Sequence, residues 1–294
     1  MSETRWTPCG ANWWTLTMTT HVEKAQLFRS LHVAGSPLLL ANAWDAASAR
    51  IVEAAGATAI ATTSAGVAWS LGASDGDRLD RRRALDLVAR VAAAVDVPVT
   101  ADIEAGYAED ADGVADTVRA VLEAGAVGVN LEDAHHGGPT PLRPVEEQAA
   151  RIGAARRAAD ESGVPLFVNA RVDTYLLSVG DPDTRFDETL ARAAAYVAAG
   201  ADGVFIPGLT DLPTIAAFVE KVAVPVNVLA GPGAPDVAAL AERGVARISL
   251  GSSVAQAAYA VARKAALELL GSGTYTTLTD ALDYGEINGL LANN

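Results

Sequence analysis

From residue 38 onward the chain repeats one pattern. A short apolar run without charge alternation is followed by an Ala-rich amphipathic stretch of helical period. Eight runs read as strands: Leu38–Ala41, Thr58–Thr62, Pro98–Asp102, Val127–Leu131, Leu166–Ala170, Gly203–Pro207, Pro225–Leu229 and Arg247–Leu250. The stretches between them read as helices over Asp45–Ala55, Arg81–Val95, Asp112–Ala124, Pro144–Ser162, Phe186–Ala199, Leu212–Lys221 and Pro235–Arg243. Several end at a glycine suited to a C-cap, namely Gly56, Gly125, Gly163, Gly200 and Gly244. Strands apolar on both faces belong in a parallel sheet covered by helices, and eight such units in series predict an α/β fold of the (β/α)8 TIM-barrel type. A doubly wound open sheet is the alternative arrangement of the same units. The recurring phrases AAGATAI, EAGAVGV, AAGADGV and ERGVARI are helix end, cap and next strand rather than a duplication. After Gly251 come a helix over Ser253–Leu270, the segment GSGTYTTLTD and a second short helical segment, Leu278–Leu291. These exceed what a barrel needs, so the last is expected to pack on another subunit.

Composition narrows the class. Half of the 294 residues are hydrophobic and 20% are charged, which suits a large core and not a disordered chain. The net charge of −14 makes nucleic acid and anionic membrane surfaces poor partners, since no basic patch offsets it. One cysteine, Cys9, leaves no internal disulfide framework or Cys-rich metal site and fits a reducing compartment. No apolar run reaches the ~20 residues that cross a bilayer, and the first residues lack the layout of an export signal, so the expected location is the cytoplasm. Residues 1–20 hold three of the five Trp (Trp6, Trp13 and Trp14) without a period. They read as an extension, either flexible or produced by a start assigned ahead of Met18, and residues 21–294 read as one barrel domain with a C-terminal helical segment.

In such a barrel, chemistry sits at the C-terminal ends of the strands. Strand 3 ends in Asp102 and continues through Ile103 to Glu104, strand 4 runs into Glu132 and Asp133, and strand 5 runs through Asn169 to Arg171. On a continuing strand Asp102 and Glu104 face the same way, with the strand-4 carboxylate beside them. Any one of these acids alone is a common helix cap. Together they repel unless a cation lies between them, and a hard divalent ion, Mg2+ or Mn2+, matches oxygen donors. Arg171 beside them is suited to a substrate carboxylate or a developing oxyanion, and it also balances their charge.

Five phrases carry a family resemblance. They are Asn42-Ala43-Trp44-Asp45, Thr63-Ser64-Ala65-Gly66 leading to Leu71-Gly72-Ala73-Ser74-Asp75, Asp102-Ile103-Glu104-Ala105-Gly106-Tyr107, Asn130-Leu131-Glu132-Asp133 and Asn169-Ala170-Arg171-Val172-Asp173. In this order and spacing, over about residues 25 to 260, the chain resembles the isocitrate lyase / phosphoenolpyruvate mutase superfamily. The resemblance implies a barrel that exchanges a C-terminal helix with its neighbour, usually in a tetramer, and Mg2+ chelated by a small 2-oxo acid or its enolate. It implies Asp102 as principal metal ligand, Glu104 and Glu132 holding the metal through water, and Asp75 as a further acid nearby. It also implies that Thr63, Ser64 and Ala65 hold the substrate carboxylate, that Trp44 and Asp45 line the pocket, and that Arg171 contacts substrate oxygens. Asp-Ile-Glu replaces the family's usual Asp-x-Asp, which keeps the charge and lengthens one arm.

The loop after strand 4 discriminates among reactions. Isocitrate-cleaving relatives carry Lys-Lys-Cys-Gly-His there, whereas this chain has Glu132-Asp133-Ala134-His135-His136-Gly137-Gly138-Pro139-Thr140, so isocitrate itself is disfavoured. The Lys and Thr-Asn pair of phosphonopyruvate-acting members are also absent, and no cation appears in the loop before Arg143. The expectation is therefore a Mg2+-dependent lyase or decarboxylase that cleaves a C–C bond beta to the keto group of a small 2-oxo dicarboxylic acid. His135 and His136 are the candidate proton donors, with Tyr107 a further candidate. Asn227 and Tyr175 are candidate pocket residues. The alternatives are a phosphonopyruvate mutase or hydrolase and a non-catalytic 2-oxo acid binding barrel, and a homo-oligomer, tetramer or dimer, is expected.

Overall fold

The computed structural model describes residues 20–292, so the expectations for the first nineteen residues, Cys9 and Met18 among them, lie outside the described residues. Eight parallel strands form one sheet in the order β1-β8-β7-β6-β5-β4-β3-β2. They are β1 (Leu38–Leu40), β2 (Ile60–Ala61), β3 (Val99–Asp102), β4 (Gly128–Glu132), β5 (Phe167–Arg171), β6 (Gly203–Phe205), β7 (Val226–Leu229) and β8 (Arg247–Ser249). Just beyond β1 and β2, Ala43 and Thr62 form a parallel bridge in which Ala43 donates to the Ala61 carbonyl (2.8 Å) and Thr63 to the Ala43 carbonyl (3.0 Å). The expected (β/α)8 barrel is thereby closed on itself, and the open-sheet alternative falls.

Each predicted strand lies within two residues of an observed one. The helices between them are α2 (Ala46–Ala54), α4 (Arg81–Ala94), α5 (Ala111–Glu123), α6 (Val145–Ser162), α7 (Arg185–Ala198), α8 (Leu212–Lys221) and α9 (Val237–Glu242). All five predicted cap glycines adopt positive φ, between 74° and 109°, the region that L side chains avoid. Val129, Leu131, Val168, Ala170, Val204 and Val228 are fully buried, as expected of strands covered on both faces.

Two helices escaped the sequence pattern. The first is α1 (His21–Ser30), opened by a Thr20 and Glu23 capping box, with Phe28 and Ala25 as its buried residues. Phe28 meets Phe167 edge-on at 5.7 Å, so α1 covers the end of the barrel where the strands begin. The second is α3 (Ser64–Ser70), immediately after β2. The C-terminal prediction also needs correction. After α10 (Ser253–Gly271), a single 3₁₀ turn at Thr276–Leu278 precedes the short α11 (Tyr284–Leu291), so Leu278–Leu291 is not one helix. The interruption has a local cause: the Glu268 side chain accepts hydrogen bonds from Thr274, Thr276 and Thr277, folding the chain back onto α10. Among the described residues no helix is long and apolar enough to cross a membrane.

Candidate active site

The ends of β3, β4 and β5 bring the predicted acids and Arg171 to one mouth of the barrel. Asp102, at the end of β3, is paired in register with Asn130 of β4 and receives the backbone N–H of Ser64 at 3.3 Å on Oδ2. Its Oδ1 is buried without a partner. Burial pushes the carboxyl upward in pKa, opposed by Arg171 and reinforced by Asp75.

Glu104 arrives by a different route from the one its spacing predicts. The strand stops at Asp102, and Glu104 takes a left-handed conformation at φ 50°, so the two acids are not successive residues on one strand face. Glu104 Oε2 accepts from the backbone N–H groups of Gly76 (2.8 Å) and Asp77, which fastens the loop carrying Asp75 over the mouth. Its Oε1 is buried and unpartnered, and burial raises the carboxyl to about 8. Asp75 itself is exposed on that loop, close enough to raise both Asp102 and Glu104. Gly76, at φ 93°, lets the loop lie against the His136 ring, because a Cβ there would stand 3.2 Å from Nδ1.

Glu132 closes the other side. Its Oε1 lies 2.5 Å from His136 Nε2 and its Oε2 pairs with Arg171 Nη1. Burial lifts its pKa to about 7 against the pull of Arg171, while the bond to Glu132 raises that of His136. Arg171 is further gripped by both oxygens of Asp173, at 2.7 and 2.8 Å. Although burial works against its charge, Glu132, Asp173 and Asp102 hold it protonated. Arg171 is thus held at the mouth in a fixed ion-pair network. Behind it Asp133, fully buried, accepts from the Asp173 N–H (2.9 Å), the Tyr196 hydroxyl (2.8 Å) and Arg192 (3.1 Å). Asp133 is therefore a structural anchor of the β5 end.

The other residues expected at the site are placed differently. Ser64 opens α3 with its N–H spent on Asp102, while Thr63 and Ala65 flank it, buried. Trp44 is half-buried beside them, where a Cβ on Gly66 would touch its Cβ. Asp45, next to Trp44, also caps α2, its carboxylate accepting the Ser48 N–H at 2.7 Å. Asn227 is a correction. It lies inside the barrel, 1% exposed, accepting from Asn169 (3.2 Å) and donating to Ser249 Oγ (3.2 Å), beneath the mouth rather than on its wall. Tyr175 packs under the Arg185 guanidinium, 5.8 Å from its ring centre. Tyr107, at φ 50°, directs its hydroxyl toward Glu104, and burial raises its pKa.

Residues that the motifs did not single out complete the mouth. Asp77 leaves a buried, unpartnered Oδ1 beside the acids, and the Asp-Gly-Asp turn signal around Gly76 marked its place. Asp173, which ends the Asn169–Asp173 phrase without a role assigned to it there, lies two residues beyond the end of β5 and grips Arg171. Arg151 of α6 donates to the carbonyls of Ala105, Ala108 (2.9 Å) and Glu109 (3.0 Å), pinning the loop after β3, a contact across forty residues with no sequence signal. Among the described residues, no three His, Cys, Asp or Glu side chains stand in a preformed metal-binding group. The donor chemistry nevertheless fits a hard cation, because Asp102 Oδ1 and Glu104 Oε1 are both buried carboxylate oxygens without a hydrogen bond.

This is the mouth of a TIM-barrel protein with an acid cluster set on β3 and β4, and comparison with known proteins places it. A family profile described as phosphoenolpyruvate phosphomutase matches residues 28–270, so the chain belongs to that family, within the isocitrate lyase / phosphoenolpyruvate mutase superfamily. An uncharacterized Mycobacterium tuberculosis protein is 42% identical over 225 residues, 76% of this chain and 81% of that one. Oxaloacetate decarboxylase of Pseudomonas putida is 30% identical over 259 residues, 85% of each chain. A solved Burkholderia cenocepacia structure, named only provisionally as a lyase/mutase, superposes with a TM-score of 0.86 at 39% identity, covering 92% of this chain and 96% of that one. A phosphonopyruvate hydrolase solved with oxalate and Mg2+ superposes with a TM-score of 0.78 at 26% identity, covering 92% and 95%. Family members are lyases or mutases, and relatives act on small 2-oxo acids.

Proposed function

We propose that this protein is a Mg2+-dependent lyase or decarboxylase that cleaves a C–C bond beta to the keto group of a small 2-oxo dicarboxylic acid. The observation that carries the reading is the pair of buried, partnerless carboxylate oxygens on Asp102 and Glu104, beside an Arg171 held in place by Asp173. Asp102, with Glu104, Glu132 and Asp75 around it, would hold the ion. Bound there, Mg2+ supplies Lewis-acid polarisation of a keto oxygen, an effect of several kcal/mol in such sites. The protein's own groups do the rest. Arg171, fixed by its bidentate pair, presents a preorganised cation to substrate oxygens. With the Thr63 N–H spent on the Ala43 carbonyl and the Ser64 N–H on Asp102, the Ala65 N–H and the Thr63 hydroxyl, with Trp44 beside them, would receive the substrate carboxylate. Breaking the C–C bond leaves an electron pair on the former C3, and a proton must reach that carbon to complete the methyl group of pyruvate. His136 is at the mouth through Glu132, with His135 on the same loop and Tyr107 opposite.

Turnover of oxaloacetate, 2-methylisocitrate, dimethylmalate and phosphonopyruvate with Mg2+, read as pyruvate release, tests the proposal. Pyruvate from oxaloacetate, abolished by Asp102→Ala, is expected, whereas pyruvate only from the 2-hydroxy acids 2-methylisocitrate or dimethylmalate would replace this reading with cleavage beside a hydroxyl-bearing carbon. The likeness to phosphonopyruvate hydrolase keeps a second reading, and pyruvate with inorganic phosphate from phosphonopyruvate would establish it instead.

The protein also acts as a homo-oligomer in this reading, a dimer or tetramer. Leu267 (66% exposed), Leu270 (86%), Tyr275 (73%) and Tyr284 (84%) leave the α10 and α11 arm with an apolar face that a second copy would cover. Light scattering on the purified protein is expected to give two or four chains per particle, and a monomer would refute the assembly.

A further inference from the structure

Beside the acid cluster, a cavity of about 480 Å³ opens between the loops after β2, β3 and β4. Its wall includes Asp77, Arg81, Tyr107, His135, His136 and Arg143. Two of these already touch the mouth: His136 bonds Glu132, and Tyr107 faces Glu104. The cavity therefore adjoins the mouth across the His136 and Tyr107 side chains.

Arg143 is the unusual member of that wall. It is 8% exposed, a degree of burial that charged side chains reach only with a partner. Among the described residues its guanidinium bonds Glu147 through Nη1 at 2.5 Å, while its Nε is buried with no partner. A buried guanidinium N–H without an acceptor is costly, and a carboxylate is the acceptor whose geometry fits that fork. The side chain does not float. The Arg143 N–H donates to the Asp133 carbonyl at 2.9 Å, and its carbonyl accepts from Arg192 at 3.0 Å. Both contacts tie it to the Asp133 anchor that also sets the end of β5. The Ala134 and Leu142 bridge closes the loop between them, so Arg143 stands at the fixed base of the histidine loop. His135, on that loop, adds a buried Nδ1 without a partner. Asp77 and Glu109 also line the cavity, but Asp77 lies in the field of His136, Arg143 and Arg151. The wall sets Arg81 and Arg143 against Asp77 and Glu109, a balance of charge in a chain that is strongly acidic overall.

We propose that Arg143 is the specificity residue for the distal end of the substrate: it binds a carboxylate on the departing portion, so the enzyme selects dicarboxylic over monocarboxylic 2-oxo acids. The proposal rests on the reading of the mouth given above and adds to it the group that reads the far end of the substrate.

Calorimetric binding in the presence of Mg2+ separates the two. Oxalate occupies the mouth alone, having no distal group. 3,3-Difluorooxaloacetate keeps the distal carboxylate. Arg143→Gln is expected to weaken difluorooxaloacetate binding roughly 10- to 100-fold, the worth of a charged hydrogen-bonded pair, while oxalate affinity changes less than about twofold. Arg143→Lys, which keeps the charge and loses the fork, is expected to fall between, and it carries the test if the Gln variant does not fold. Equal losses for both ligands, or no loss for either, would overturn the role of Arg143 while leaving the mouth intact. Failure of the unaltered protein to bind oxalate with Mg2+ would overturn the reading of the mouth, and this inference with it.

Discussion

The two ends of the barrel solve the problem of buried polarity in opposite ways. At the floor, Phe28 of α1 and His32 just beyond that helix lie against Phe167, with the His32 and Phe167 rings stacked at 4.0 Å. Arg247 of β8 reaches into this region with its guanidinium 5.9 Å from the Phe28 ring and one hydrogen bond to Asn130 Oδ1, at 3.1 Å. Burial lowers its pKa to about 9, and burial beside that cation drives His32 down to about 3. The floor thus holds one buried cation and an imidazole kept neutral among aromatic rings. The mouth gathers Asp102, Glu104 and Glu132, each pushed upward by burial, with Arg171 as the cation in contact with Glu132. The floor is a packing solution with a few polar atoms left over. The mouth concentrates like charges, an arrangement that opposes stability and becomes reasonable only when something else arrives to be bound.

The comparison breaks most sharply under substitution. Phe28→Ala should cost about 3–5 kcal/mol of unfolding free energy, because a fully buried ring leaves a cavity that the strands cannot fill. Oxalate affinity of the folded fraction should stay unchanged. Asp102→Asn should do the reverse: it removes a desolvated charge, so the metal-free protein is no less stable, while turnover falls by at least about 100-fold. Urea titration beside steady-state kinetics reads both quantities. A large stability loss from Asp102→Asn would show that the mouth is built for the fold and not for a ligand.

The same contrast explains what the sequence disclosed. The strands were legible because burial on both faces removes charge from them, as in Val127–Leu131, and the cap glycines punctuated the units. The acids were legible because strand ends are few and Asp102, Glu132 and Arg171 fall on three successive ones. The helix α1 was hidden by its polar composition, HVEKAQLFRS, in which Phe28 is the fully buried large residue. The turn at Glu104 was hidden for a different reason. A positive φ at a glutamate has no compositional signal, and it comes from the tertiary grip of the Gly76 and Asp77 N–H groups on the carboxylate. Asn227 was misplaced because a polar residue near a strand end looks alike whether it fills the barrel or faces the mouth. The anchor joining Asp133 to Tyr196 and Arg192 spans about sixty residues, and no local period reveals it.

A subtler test exploits the opposite titration of the two ends. Glu104 and Glu132 carry pKa values of about 8 and about 7 in the folded, metal-free protein, above the ordinary carboxylate value. As pH rises from about 4.5 toward 7 the unfolded chain releases both protons and the native state keeps them, so stability falls by up to about 1.4 kcal/mol per pH unit for each group. The fall ends once pH passes the folded value of about 8. His32 acts the other way: with a folded value of about 3, it stays neutral in the native state while the unfolded chain takes up a proton below about 6.5. Its contribution to stability is present above that pH and is lost as pH falls toward 3. Between about 5 and 6.5 the two carboxyls outweigh the one imidazole, so the metal-free protein should lose stability as pH rises. Saturating Mg2+ should flatten or reverse that slope, because the ion binds the deprotonated mouth. His32→Leu should steepen the slope in the same interval without altering its response to Mg2+. Urea unfolding at pH 5.5, 6.5 and 7.5, with and without Mg2+, measures all three effects. A metal-free slope that is flat or rising would mean that the mouth's carboxylates are already ionised and at ease, and the case for a resident cation would lose its energetic basis.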